Sequence, residues 1–182
     1  MRYRDILGKL LEANPHLGQV LYVGAKVVPT GRVPTMLREL RRRASSVVCL
    51  EACQENCEEL REKTWFDKVI HADISAAIGS RHLGCYDTVV WWHGPEHVAF
   101  DLAVLNLSRL SCAFERVWIG CPWGQYPQGI VDGNPWEEHK TYLLPDDFTR
   151  LGYRVATCGK CHSANNSSHI VAWTGAPEGD II

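Results

Sequence analysis

Three positions in this chain set chemistry-bearing residue types at the ends of short apolar runs. Gly24 follows Gln19–Val23, Glu51 follows Val47–Leu50, and Asp73 follows Lys68–Ala72. A glycine after such a run lets the backbone turn tightly and approach a ligand closely. Its neighbour Ala25 adds little bulk. A carboxylate in the place of Glu51, beside Ala52, can accept from two neighbouring hydroxyls at once, as on a ribose. An acid followed by an apolar residue, as in Asp73-Ile74, can accept from an exocyclic amine while the apolar side chain packs on a purine ring.

A second group of ionisable and aromatic residues follows the run Tyr86–Trp92: Trp92-His93-Gly94-Pro95-Glu96-His97. Its H-x-x-E-H spacing is formally that of a zinc protease, a chemistry that needs both histidines on one helical face. Gly94-Pro95 prevents that, because Pro95 reads as a first helical residue and leaves His93 outside the helix. No metal-ligand set is therefore expected, and His93 or His97 is expected as a single cleft-lining base or positioning group. Cys158-Gly159-Lys160-Cys161-His162 matches a haem-attachment pattern. No export signal accompanies it, and no second C-x-x-C pair completes a zinc site, so a structural role is expected. Cys53 and Cys57, with Leu60, form the inward stripe of a helix, and Cys49 lies in a strand; all three are expected as buried thiols. Arg38 and Arg41-Arg42-Arg43 read as a solvated helix end. Trp118 and Trp173 are expected in the core, and Trp92, Trp123 and Trp136 around a pocket.

The elements that must position these groups alternate between short strands and helical patterns, the mark of βαβ units on a parallel sheet. The spacing predicts an N-terminal helical region over 1–18, amphipathic over Arg4–Ala13 and ended by Asn14-Pro15. Strands are predicted over Gln19–Val23, Val47–Leu50, Lys68–Ala72, Tyr86–Trp92 and Glu115–Cys121. Helices are predicted over Thr35–Ala44, Cys53–Lys63, Val98–Ser111 and Leu144–Leu151. Tyr153–Cys158 and His169–Trp173 read as an antiparallel hairpin turning at Asn165-Asn166-Ser167-Ser168. The loop Pro122–Tyr142 is too long for a plain connection. It is expected to cover the substrate, with His139 as its candidate general base.

With 182 residues, the chain is expected to form one domain over 1–182. Its 19 basic and 21 acidic residues leave a formal charge of −2, which argues against a nucleic-acid or anionic-membrane partner. No apolar run reaches the ~18 residues of a membrane helix. The polar start Met1–Asp5 has no signal-like apolar stretch, and eight cysteines without one point to a reducing, cytoplasmic setting.

Taken in order, the glycine turn, the strand-end Glu51 and Asp73, YDTVVWW and the terminal hairpin resemble the class I S-adenosylmethionine-dependent methyltransferases. His139–Val155 (HKTYLLPDDFTRLGYRV) is similar to that family's late segment. The resemblance runs from Gln19 to Trp173. It implies a three-layer α/β/α sandwich around a mostly parallel seven-stranded sheet, order 3-2-1-4-5-7-6, with strand 7 antiparallel. It also implies S-adenosylmethionine as cofactor. Gly24 and Ala25 would lie beside the methionine part, Glu51 and Ala52 at the ribose, Asp73 and Ile74 at the adenine, and Trp92 and His93 at the point of methyl transfer. His139 and His93 would be the catalytic candidates. The implied activity is methyl transfer to a small-molecule acceptor. Two positions depart from the family pattern. Tyr22 stands where an acid is usual, and Gly24-Ala25-Lys26-Val27-Val28 replaces Gly-x-Gly-x-Gly, with Gly31 a later substitute. Those departures motivate the alternative of a catalytically inert binding or scaffold module. Acceptor and oligomeric state are not legible.

Overall fold

The computed structural model describes residues 3–27, 33–79, 83, 85–161 and 168–175. In chain order the elements are α1 (Tyr3–Ala13), β1 (Gly18–Val23), α2 (Thr35–Arg41), β2 (Ala44–Glu51), α3 (Gln54–Arg61), β3 (Lys68–His71), α4 (Ile74–Gly79) and β4 (Thr88–Trp92). A single 3-10 turn (Pro95–His97) then leads into α5 (Phe100–Ala113) and β5 (Arg116–Pro122). A second such turn (Pro135–Glu137) precedes α6 (Pro145–Thr149), β6 (Arg154–Cys158) and β7 (His169–Trp173).

The seven strands form one sheet in the order β3-β2-β1-β4-β5-β7-β6. β1 pairs in parallel with both β2 and β4, while β7 runs antiparallel to β5 and β6. This is the three-layer arrangement and strand order expected above. The order reverses between β1 and β4, so a crevice opens at their carboxyl ends.

Strand residues alternate between the two faces, as the period of two requires. Val20, Tyr22, Val90, Trp92 and Trp118 pack under α1, α2 and α3 through residues such as Leu10, Leu37 and Leu60. Leu21, Val23, Val89, Trp91 and Ile119 pack under α5 and α6 through Leu107, Leu110 and Phe148. Because both faces are covered, β4 and β7 are buried along their whole length. Burying each large side chain contributes about 1.5–3 kcal/mol. Tyr153 adds a polar tie, its hydroxyl donating to the Leu107 carbonyl at 2.8 Å.

Several boundaries differ from expectation for local reasons. The N-terminal helix does end at Ala13 as expected, with the Asn14 side chain donating its Nδ2 to the Leu10 carbonyl at 2.8 Å, but it begins at Tyr3, and Gly18 already belongs to β1. Ala44 opens β2 rather than closing α2, because that helix ends at the Arg42 cap. Val98 is extended, so α5 begins at Phe100. α4 is an additional short helix that no sequence periodicity announced. Residues 162–167, which hold His162 and most of the expected hairpin turn, and Gly31 lie outside the described residues. Among those described, no helix is long and apolar enough to cross a membrane.

Candidate functional site

The glycine turn and Glu51 are built as one unit. Gly24 has φ of +73°, and the space a side chain would occupy there is open. Its amide donates to the Leu50 carbonyl at 2.8 Å. The next amide, of Ala25, donates to Glu51 Oε2 at 2.8 Å. The other oxygen, Oε1, accepts from the Cys53 amide at 2.7 Å and from the Asn56 side chain at 3.4 Å. Glu51 is 5% exposed. Burial pushes its carboxyl up, against the pull of the Ala25 and Cys53 amides. Each carboxylate oxygen has two lone pairs, so Oε2, with one donor, keeps acceptor capacity toward the crevice, and Oε1 gains it when the long 3.4 Å contact from Asn56 gives way.

Asp73 caps α4. Its Oδ1 accepts from the Ser75 and Ala76 amides at 2.8 and 3.3 Å, the usual use of an aspartate at that place. Its Oδ2 has no hydrogen bond among the described residues. Ile74 is buried and turns its side chain into the second core.

At the end of β4 the Trp92 ring lies on Gly120 of β5, where a Cβ would come within 2.6 Å of it. His93 follows with φ of +54°, in the left-handed region. Histidine tolerates that region better than most side chains, and strain of this kind gathers at functional sites. Its amide donates to the Gly120 carbonyl at 2.8 Å. Its Nδ1 lies 3.4 Å from Glu96 Oε1, and its side chain is 44% exposed. Glu96 itself is 3% exposed. Burial alone would push its carboxyl up, but His93, with His97, holds it below the usual range.

The long loop packs back on this end of the crevice. Lys140 and Thr141 donate their amides to the Glu96 carbonyl at 2.8 and 3.2 Å. His97 Nδ1 faces the Glu138 carbonyl at 3.2 Å, and His139 Nδ1 faces the Tyr126 carbonyl at 2.6 Å. Both carbonyls can only accept, so each ring carries its proton on Nδ1. Burial lowers the His139 pKa and favours the neutral ring. Lys26 of the glycine turn reaches into the loop, 3.1 Å from Asp132 and 3.9 Å from Glu137.

These segments enclose one cavity of about 770 Å³, within the usual range for small-molecule sites. Gly24, Ala25, Glu51, Ala52, Asp73, Ile74, Trp92, His93 and His139 all line it. Trp136 lines it too, while 40% exposed. Trp123, expected at the pocket, is not among its lining residues. It packs instead against the second core, bridged to Leu143 and donating its amide to the Ser168 carbonyl at 3.1 Å. Sequence reasoning missed Tyr3, Trp65, Phe66 and His169, which also line the cavity. Tyr3 stands 6.4 Å from Trp92 and 4.9 Å from His169, ring centre to ring centre. The aromatic start of α1 was its one signal. Tyr22, where an acid was usual, is buried against Phe66 at 5.9 Å.

The remaining motifs stay outside the chemistry. Cys49, Cys53 and Cys57 are buried free thiols, and desolvation pushes Cys57 up to about 11, which makes it a poor nucleophile. Cys158 is a buried thiol and Cys161 a partly exposed one. Trp118 and Trp173 are in the core. Arg41, Arg42 and Arg43 pair with Asp67 and Glu39 at the end of α2.

No family model matches the chain, and no curated protein matches it significantly. Solved structures do. The DhpI–SAH complex superposes with a TM-score of 0.65 at 17% identity, covering 97% of this chain and 85% of that one. The N-methyltransferase NodS from Bradyrhizobium japonicum WM9 gives 0.62 at 10% identity, covering 97% and 94%. Magnesium protoporphyrin IX methyltransferase (ChlM) from Synechocystis PCC 6803, with bound SAM, gives 0.60 at 15%, covering 94% and 76%. With the sheet order and the crevice at its switch point, these likenesses establish that the chain has the fold of the class I S-adenosylmethionine-dependent methyltransferases.

Proposed function

We propose that this protein is an S-adenosylmethionine-dependent methyltransferase acting on a small-molecule acceptor. One observation carries the reading: the glycine turn and the acids at 51 and 73 line the same cavity as His93 and His139. The residues present fit the cofactor. Open space beside Gly24 admits the methionine part close to the backbone. Glu51 takes the ribose hydroxyls, and Asp73 Oδ2 with Ile74 takes the adenine. Solved neighbours that hold SAM or SAH support S-adenosylmethionine as the cofactor.

S-adenosylmethionine supplies, when bound, an electrophilic methyl group on a sulfonium. The protein's part is to hold the acceptor in line with it, the main source of rate in such a transfer. Trp92 and His93 border that point. His93 Nδ1 is held by Glu96, which leaves Nε2 to take the proton the acceptor loses. His139 is the second proton acceptor facing the cavity. Lys26 would repel a sulfonium, but Asp132 and Glu137 neutralise it. The loop 122–142 closes over the acceptor. A formal charge of −2 disfavours a nucleic-acid acceptor, and eight free thiols fit a cytoplasmic setting.

Calorimetric titration with S-adenosylmethionine and S-adenosylhomocysteine tests the reading. We expect 1:1 binding of both, weakened at least tenfold by Glu51→Ala. Absence of binding at millimolar cofactor would leave the inert module as the better description.

A further inference from the structure

We propose that Glu96, His97 and His139 bind one divalent transition-metal ion at the acceptor end of the cavity. The three side chains offer two imidazole nitrogens and one carboxylate oxygen, all within 4.8 Å of one another. Ligand bonds of about 2.0–2.2 Å put two donors on one ion about 3.3 Å apart. Each side chain would close by under about an ångström.

Four features mark this cluster as built for an ion rather than gathered by chance. First, both imidazoles give Nδ1–H to a backbone carbonyl, of Glu138 and of Tyr126. That fixes the tautomer and turns each Nε2 lone pair outward, the support that metal-bound histidines generally have. Second, Glu96 is 3% exposed, yet its Oε2 has no hydrogen-bond partner among the described residues. A buried carboxylate oxygen left without a partner is costly, and a cation removes that cost. Third, the two contributing segments are pinned together, since Lys140 and Thr141 both donate to the Glu96 carbonyl. The ligand set is thus preorganised. Fourth, all three residues line the cavity, so the remaining coordination positions face the acceptor. Three protein ligands and an open position make a catalytic rather than a structural site.

Two neutral imidazoles and one carboxylate suit zinc, manganese or ferrous iron better than magnesium or calcium, which prefer oxygen donors. His93 stays outside the ligand set and holds Glu96 Oε1 from behind. The H-x-x-E-H segment thus contributes Glu96 and His97 rather than its two histidines, and the third ligand comes from the loop. Resting on the methyl-transfer reading, the open positions select an acceptor that carries a lone-pair donor able to bind the ion. His139 then acts through the ion, and His93 remains the free base.

The test uses the full chain stripped of metal by a chelator and titrated with Zn²⁺ by calorimetry and with Co²⁺ by visible absorption. We expect one equivalent per chain, a cobalt spectrum without thiolate charge-transfer bands, and binding weakened at least tenfold by His139→Ala and by His97→Ala. Paired Cys158→Ser and Cys161→Ser substitutions should leave binding unchanged. Glu96→Gln bears on folding as well, so the loop variant His139→Ala, checked by circular dichroism, carries the result. No stoichiometric binding, binding retained in folded His139→Ala, or binding lost with the two thiols would overturn the site. Cofactor binding is measured separately on the metal-free protein. Cofactor binding without metal binding overturns this inference alone. Metal binding without cofactor binding sustains the site and removes the methyl-transfer reading.

Discussion

The Glu51 carboxylate, at the end of β2, accepts a hydrogen bond from the Ala25 amide at 2.8 Å. The residue expected to read a ribose therefore also fixes the turn expected to cradle the rest of the ligand. Glu51→Gln keeps one acceptor oxygen and puts an NH₂ where the other amide donates. One buried backbone N–H then loses its partner, at a cost of about 1–3 kcal/mol. We expect that loss in urea unfolding, together with at least tenfold weaker S-adenosylmethionine binding by calorimetry. Unchanged stability would show that the Ala25 and Cys53 amides find other partners.

Gly120 and Trp92 make a second testable pair. A Cβ on Gly120 meets the Trp92 ring at 2.6 Å, and neither the strand backbone nor the buried ring can yield cheaply. Overpacking of this kind costs about 1–3 kcal/mol. Gly120→Ala should lower the melting temperature and shift tryptophan fluorescence. Gly129→Ala serves as the control, since Gly129 has open space around it and no left-handed backbone.

Charge on the glycine turn gives a prediction that separates two ligands. Lys26 is neutralised by Asp132 and Glu137. Removing both acids with Asp132→Asn and Glu137→Gln leaves the ammonium bare beside a sulfonium. Binding of the cationic S-adenosylmethionine should weaken several-fold at low salt. Binding of S-adenosylhomocysteine, whose sulfur is uncharged, should change little. Adding Lys26→Met should restore the ratio, and raised salt should shrink the effect. Equal weakening of both ligands would point to a disturbed loop rather than to charge.

Asp67 predicts an acid dependence of stability. Its Oδ2 accepts from the Val47 amide at 2.6 Å and from Arg41 at 2.9 Å. These bonds, the amide first, hold its pKa below the ordinary value. A group with a depressed folded pKa contributes stability that is full above the unfolded value and is lost as pH falls through the folded one. Its share should therefore fade below about pH 4. Asp67→Asn should flatten that part of the stability profile in urea titrations, leaving the acid limb to Glu39 and other paired carboxylates.

The fold was legible wherever a strand is buried on both faces. Runs such as Val89–Trp92 and Ile170–Trp173 have no polar residue to allow another reading, and glycine or an acid punctuates the ends of the early strands. The wall formed by Gly24, Glu51 and Asp73 was legible for the same reason, because each residue sits one step past a strand. What was hidden depends on contact between distant segments. Tyr3 and His169 meet the cavity only because α1 packs across the sheet, bringing Tyr3 against Trp92 of β4 and His169 of β7. Trp123 looked like a pocket residue by position, but its bridge to Leu143 draws it to the other core. The grouping of Glu96 and His97 with His139 spans some forty residues, and no local spacing reveals it. α4 is too short to show a helical period.

The left-handed backbone at His93 also has an evolutionary consequence. Besides glycine, only asparagine, aspartate and histidine occupy that conformation with ease. Mutational drift at this corner is thus channelled toward side chains that carry a lone pair or a proton. A lineage could change its acceptor chemistry here by exchanging one such group for another, without ever rebuilding the strand that presents it.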